Sequence, residues 1–301
     1  MSPENFCTIN PQPEQSAAIE IPQSLYGRIL EKTDQGLLLD AYHLGLQSGP
    51  LHLWAGPEAQ LLAGRLAKHL GGKALSWTLT SKAYRQRKNS ARFLTQRIYG
   101  LMEQRGLFSA WQASHDLAEC ETETALEKAE SLVCQGSLSV SFRDFETAND
   151  FFTQAQSLAP ASPWIWTASS TFWAQQGKHE RALQLVDDAL AIQPWFRPAI
   201  QYKAEYLQAI DRDALAFEVL ETAKQQLQSH GVILQLIILH SEHENWARML
   251  DLSEEARRLA PLAEEPVENW LAARETDAFI GLQDFKRAAQ KAGKVSTGRK
   301  S

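Results

Sequence analysis

Cysteine is scarce: Cys7, Cys120 and Cys134 are the only three among 301 residues, odd in number and without CxxC spacing. Neither a disulfide framework nor a zinc finger follows from such a set, and a reducing, cytoplasmic setting is the expectation. No run approaches the roughly 20 apolar residues of a membrane-spanning helix, so no membrane partner is expected. Residues 1–21 carry Pro3, Pro11 and Pro13 and lack a basic start followed by an apolar stretch, which reads as a disordered lead-in and not a secretion signal. Phosphate-cradling and nucleophile patterns are missing as well: G-x-x-x-x-G-K-[ST], G-x-G-x-x-G and G-x-S-x-G do not occur. Gly71-Gly72-Lys73 reads as a helix stop.

What remains for chemistry is thin. His240 and His243 lie three apart, so they share a helix face, but two histidines do not complete a closed metal site of four ligands. Cys134 reads as a small buried apolar residue, and Glu119, Glu121 and Glu123 as a solvated acidic face. No catalytic residue, metal or cofactor is expected, and the chain reads as non-enzymatic.

One absence is local. Residues 59–102 contain no Asp or Glu, yet hold nine Lys and Arg, leaving −15 for the rest of a chain whose net charge is −6. Within this block Lys82, Arg85, Arg87, Lys88 and Arg92 are the densest stretch and a candidate binding segment for nucleic acid or another acidic ligand. The neighbouring 103–162 is acidic, so the two blocks could instead face each other, within one chain or between copies by self-association. Residues 290–301 turn basic again and read as a disordered tail.

Against these absences stands a period. Ala148, Ala182 and Ala216 are 34 residues apart, as are Ala155, Ala189 and Ala223, and Leu158-Ala159-Pro160 recurs as Ile192-Gln193-Pro194 at the same spacing. Three tracks at one period indicate a repeat protein. Small residues let two helix axes approach closely, and proline ends the second helix of a unit.

With Pro163 as position 1, Trp166 falls at 4, Ser170 at 8, Gly177 at 15, Ala182 at 20, Ala189 at 27 and Pro194 at 32. This pattern resembles the tetratricopeptide repeat. Units at 129–162, 163–196 and 197–230 match best, although the last has Gln228 where proline is usual. Weaker units are read from Pro57, from Ala91, near His230 and over 270–289, and Gly49-Pro50-Leu51 echoes Gly106-Leu107-Phe108 as a faint upstream unit. The stretch 232–239 could pass for a strand, but its register makes it a buried helix.

The resemblance implies an all-α, right-handed superhelical solenoid of antiparallel helix hairpins, one continuous domain over 22–289. It further implies a concave groove that holds a protein or peptide, with candidate contacts Trp164, Thr167, Thr171, Gln201, Glu205 and Gln208. The basic clamp of chaperone-binding relatives is absent from these positions. The expected function is a non-enzymatic interaction scaffold. Two alternatives stay open: an adaptor for nucleic acid or another acidic ligand through 59–102, and the accessory repeat segment of a peptidase-type assembly, since the chain somewhat resembles repeat regions of bacterial multidomain proteins.

Overall fold

The computed structural model describes residues 18–297, and what was read for 1–17 and 298–301 lies outside them. Sixteen α-helices follow one another: α1 (Gln23–Asp34), α2 (Leu38–Leu46), α3 (Pro57–His69), α4 (Lys73–Gln86), α5 (Ala91–Arg105), α6 (Leu107–Ser114), α7 (Ala125–Ser141) and α8 (Phe145–Leu158). They continue as α9 (Pro163–Ala174), α10 (His179–Ile192), α11 (Arg197–Gln208), α12 (Asp213–Gln226), α13 (His230–Glu242), α14 (Trp246–Leu259), α15 (Glu265–Gly281) and α16 (Phe285–Thr297). Consecutive helices pack as antiparallel pairs, and no strand forms among the described residues beyond two isolated bridges. The apolar run 232–239 is helix, inside α13.

The alanines of the 34-residue tracks sit where helices cross. Ala148, Ala155, Ala182, Ala189, Ala216 and Ala223 are all fully buried, and larger side chains such as Phe152, Val186 and Leu220 fill the space beside them. Gly136 is equally tight, since a Cβ there would stand 3.1 Å from the Phe152 ring. The period is visible in the backbone too. Arg143, Gly177 and Asp211, each 34 residues from the next, adopt positive φ at the hairpin turns, as do Glu244 and Gln283 further on. At each of these turns the following N–H bonds back to a carbonyl five residues earlier, as Lys178 does to Trp173 at 3.0 Å, closing a Schellman motif.

Departures from the expected register are local. The first helix of the 129–162 unit begins four residues early, at Ala125, because Thr124 caps it by accepting the Glu127 N–H at 3.1 Å. The Gly49 and Gly106 segments are not equivalents: 51–53 is a single 3-10 turn, whereas Leu107 opens α6. Ahead of α1, Ile19 pairs with Leu53 and Ala55 through two backbone hydrogen bonds of 2.8 Å, so order begins before residue 22. At the other end α16 runs to Thr297, so 290–297, expected as disordered tail, is helical; Lys291 Nζ anchors it on Glu275 at 2.6 Å.

The solenoid returns on itself. Repeat stacks ordinarily touch only their neighbours, but here the early hairpin turns rest on late loops. The α1–α2 turn meets the end of α12: Gly36 C=O accepts from Gln228 N at 3.1 Å, and Gln228 exchanges two 3.0 Å hydrogen bonds with Asp40. The α3–α4 turn meets the α14–α15 loop: Leu70 C=O accepts from Leu262 N at 3.0 Å, and the Glu264 carboxylate takes the Ala74 N–H at 2.6 Å, capping α4 from 190 residues away. Two glycines make this approach feasible. Both have positive φ, and a Cβ would stand 2.6 Å from Leu227 at Gly36 and 2.7 Å from Ala263 at Gly71.

Candidate functional site

First helices of successive units (α5, α7, α9, α11, α13) touch one another, whereas second helices barely meet. The stack therefore curves with its first helices inside, and their outward-free faces form the concave wall. Closure also brings α3 opposite α11, where His69 meets Arg197.

Of the six candidate contacts, the wall presents five. Trp164 is half-buried and stands edge-on to Tyr99 of α5, ring centroids 6.3 Å apart. Thr171 is partly exposed and its hydroxyl donates to Ala168 C=O at 2.7 Å. Gln201 accepts from the Arg197 guanidinium, Gln208 donates to Glu242 at 3.2 Å, and Glu205 is exposed without an ion pair among the described residues. Thr167 is the correction. It is fully buried, its hydroxyl donating to Pro163 C=O at 2.8 Å, because this face of α9 packs against α7 instead of opening to the groove.

The richest part of the wall escaped the sequence reading. Arg197 opens α11 and points across the closure, where its Nη2 lies 3.3 Å from His69 Nε2 of α3. Burial, with Arg65 nearby, draws the Arg197 guanidinium down to about 10, still protonated at neutral pH. His69 is held well below its usual value by burial first and by Arg197, Arg65 and Lys68 after it, so the ring is neutral. Beside it Tyr202 stacks on Tyr206 (5.8 Å), whose hydroxyl meets Ser170 of α9 at 2.9 Å. Burial also raises the Glu205 and Glu130 carboxyls, the latter against the opposing pull of Arg92. The one hint in the sequence was the acid-free block, of which Arg65 and His69 are members.

That block is dispersed by folding. Arg65 pairs with Asp34 at 2.9 Å, Lys68 with Glu103, and Arg87 with Glu123 at 3.1 Å. Arg97 lies 4.1 Å over the Trp77 ring, and Arg92 is half-buried near Glu130. Lys82 and Arg85 are exposed on α4, and Lys88 is exposed in the following loop, none with an ion pair among the described residues. Of the five candidate residues, Arg87 and Arg92 turn to acids of the neighbouring segment, while Lys82, Arg85, Arg87 and Lys88 remain exposed.

The remaining chemistry candidates are absorbed by structure. His240 is buried, 3.7 Å from Glu221, and burial lowers it; His243 is exposed and meets Asp213 at 2.8 Å. Among the described residues no cluster of three or more His, Cys, Asp or Glu is placed to hold a metal ion. Cys134 is fully buried and its thiol is pushed up to about 12 by that burial, which removes its nucleophilicity. No helix among the described residues is long and apolar enough to cross a membrane.

No protein-family model matches this chain, and no curated relative does. Solved structures do. The chain superposes on the APC/C heterotetramer Cut9–Hcn1 with a TM-score of 0.61 at 14% identity, over 86% of this chain and 50% of that one. It superposes on yeast Tom70 at 0.53 and 15% identity, over 87% and 54%. A tetratricopeptide repeat protein from Parabacteroides merdae gives 0.52 at 12% identity, over 85% and 98%. The chain spans about half the length of the first two. At such identities the likeness is one of fold: this is a tetratricopeptide-type helical solenoid.

Proposed function

We propose that the chain is an interaction scaffold that holds a segment of a partner protein against its concave wall and performs no reaction of its own. The observation that carries this is the wall's unused binding capacity. Arg197 and Glu205 have no ionic partner among the described residues, Tyr202 lies beside both, and Trp164 and Tyr99 pair elsewhere on the wall. Large aromatics and arginine in a partly desolvated recess are the residue types that dominate binding energy at protein interfaces. The structural relatives support a scaffold in general terms, and the free Cys120 and Cys134 suit a reducing, cytoplasmic setting.

Site-specific photo-crosslinking tests this. A crosslinking residue at Gln201 or Gln208 on the inner wall should trap a partner segment in cell extract, and one at exposed Gln184 of α10 should not. Equal trapping from both faces, or none from the inner one, ends the concave-face reading.

A further inference from the structure

We infer that a recess over α11, between α10 and α12, receives a tryptophan side chain of a partner segment that carries a lysine or arginine beside it. Because α10 and α12 are second helices, the recess opens on the outer face, away from the concave wall, and stands whether or not that wall binds. The 34-residue period shows why it is open. In the 163–196 unit the same place is filled from within: Trp166 and Trp173 of α9 pack against the cluster of Ala182, Val186 and Ala189, and the Trp166 indole N–H donates to Pro160 C=O at 2.8 Å. The counterparts in the next unit are Ile200 and Leu207. These smaller side chains leave a cavity of about 360 Å³, which they line with Pro194, Trp195, Leu215 and Glu218 among others. The carbonyl of Pro194, the counterpart of Pro160, accepts no hydrogen bond among the described residues.

The filled unit also defines what the occupant must bring. A buried indole needs an acceptor for its N–H, and Pro194 C=O stands where Pro160 C=O serves Trp166. Two cations lie over the Trp173 ring, Lys178 Nζ at 4.9 Å and Arg181 Cζ at 5.8 Å. Lys178 keeps a basic counterpart in Arg212, which does not line the cavity, but Arg181 is replaced by Leu215 and Gln184 by Glu218. The mouth of the recess has lost a cation and gained a carboxylate. Lys203, the cation that lines it, is answered by Asp187 at 2.7 Å, whereas Glu218 is exposed without an ion pair among the described residues. A basic residue beside the incoming tryptophan complements that charge. Trp195 and Leu215, 39% and 46% exposed, flank the recess, so a seated indole takes their apolar surface out of water. Tryptophan in a desolvated pocket is among the strongest anchors at protein interfaces.

The test follows the methyl resonances of the full chain during titration with a capped tryptophan–lysine dipeptide, with alanine–lysine and tryptophan–glutamate dipeptides as controls. Tryptophan–lysine should shift the Ile200, Leu207 and Leu215 methyls, and alanine–lysine should not. Tryptophan–glutamate should bind more weakly by about two- to fivefold, the loss of one exposed charge pair. Ile200→Trp/Leu207→Trp, which rebuilds the filled groove of the preceding unit, should abolish the shift at Leu215. Glu218→Lys, at an exposed position, should reverse the order of the two tryptophan probes. No shift in the wild-type protein, a probe still bound by folded Ile200→Trp/Leu207→Trp, or an unreversed order in Glu218→Lys would each overturn the proposal. So would the same shifts on concentrating the protein without a probe, which would assign the recess to a second copy. Gln184 borders the filled groove of the preceding unit, so trapping from Gln201 with silence at Gln184 is expected whether or not the recess binds.

Discussion

Gln228 and Asp40, 188 residues apart, exchange two hydrogen bonds: Gln228 Nε2 donates to Asp40 Oδ1 and Asp40 N donates to Gln228 Oε1, each at 3.0 Å. Position 228 is where the repeat pattern usually has proline, so among the three best-matched units the one that lacks it does so at the seam. A proline would remove both of these bonds and the N–H that donates to Gly36 C=O at 3.1 Å. At roughly 0.5–1.5 kcal/mol for each bond, the seam loses about 2–4 kcal/mol. Leu227 is already extended (ψ 143°), so the residue before the proline needs no rearrangement. Gln228→Pro should leave helicity unchanged by circular dichroism and raise the radius of gyration measured by small-angle scattering. An unchanged radius would mean that the seam does not hold the ends together.

The C-terminal hairpins are tied by one buried acid. Glu275 of α15, 4% exposed, receives Arg257 of α14 at 2.6 and 3.1 Å and Lys291 of α16 at 2.6 Å. Burial alone would raise its carboxyl, but the hydrogen bonds from Arg257 and Lys291 outweigh it and leave the group below its usual value. Glu275→Ala leaves Arg257 with Glu268 at 2.9 Å and frees Lys291, and since both cations are partly exposed it should cost about 1–3 kcal/mol in denaturant unfolding. Because the folded value is depressed, the stabilisation is fully present above the unfolded value of about 4.3 and disappears as pH falls through the folded one. Glu275→Gln should therefore show a flatter loss of stability than the parent below about pH 4. Parallel acid curves for the two would remove Glu275 from the account.

Hairpin turns offer the opposite sign of change. Asp211 (φ 58°) and Arg143 (φ 62°) occupy the left-handed backbone position that Gly177 fills in the intervening unit. A residue with a Cβ is strained there by about 1–2 kcal/mol, of which the greater freedom of glycine in the unfolded chain takes back a part. Asp211→Gly should raise stability by about 0.5–1 kcal/mol in thermal unfolding, and Gly177→Ala should lower it. A loss at Asp211→Gly would show that its side chain contributes more than its backbone costs.

The repeat units were legible because their signals are local. A 34-residue period in alanine, proline before α9 and α11, and Gly177 in a turn each act within a hairpin, and α9 and α11 begin at the first position of their units. The seam was not legible in the same way. Its contacts depend on small rotations accumulated over several units, which leave no periodic mark; only Gln228 in place of proline and the glycines at 36 and 71 betrayed it. The same distance hid the meeting of His69 with Arg197. Arg65 and His69 belong to a block whose opposite end looked denser, and Arg197, at the first position of its unit, acquires its meaning only from α3 across the closure. Thr167 failed for a smaller reason: the inner face of α9 is shared between groove and neighbouring helix.

The cap that Glu264 places on α4 also has a history in time. In a stack that grows by adding neighbours, each hairpin can settle as soon as the next is made. Here the Ala74 N–H waits for a carboxylate 190 residues later in the chain. At synthesis rates of about 5–20 residues per second, that is an interval of about 10–40 s between the two partners. Through it the turn at Leu70–Gly72 stands bare, and closing the seam is a long-range docking in place of a local addition.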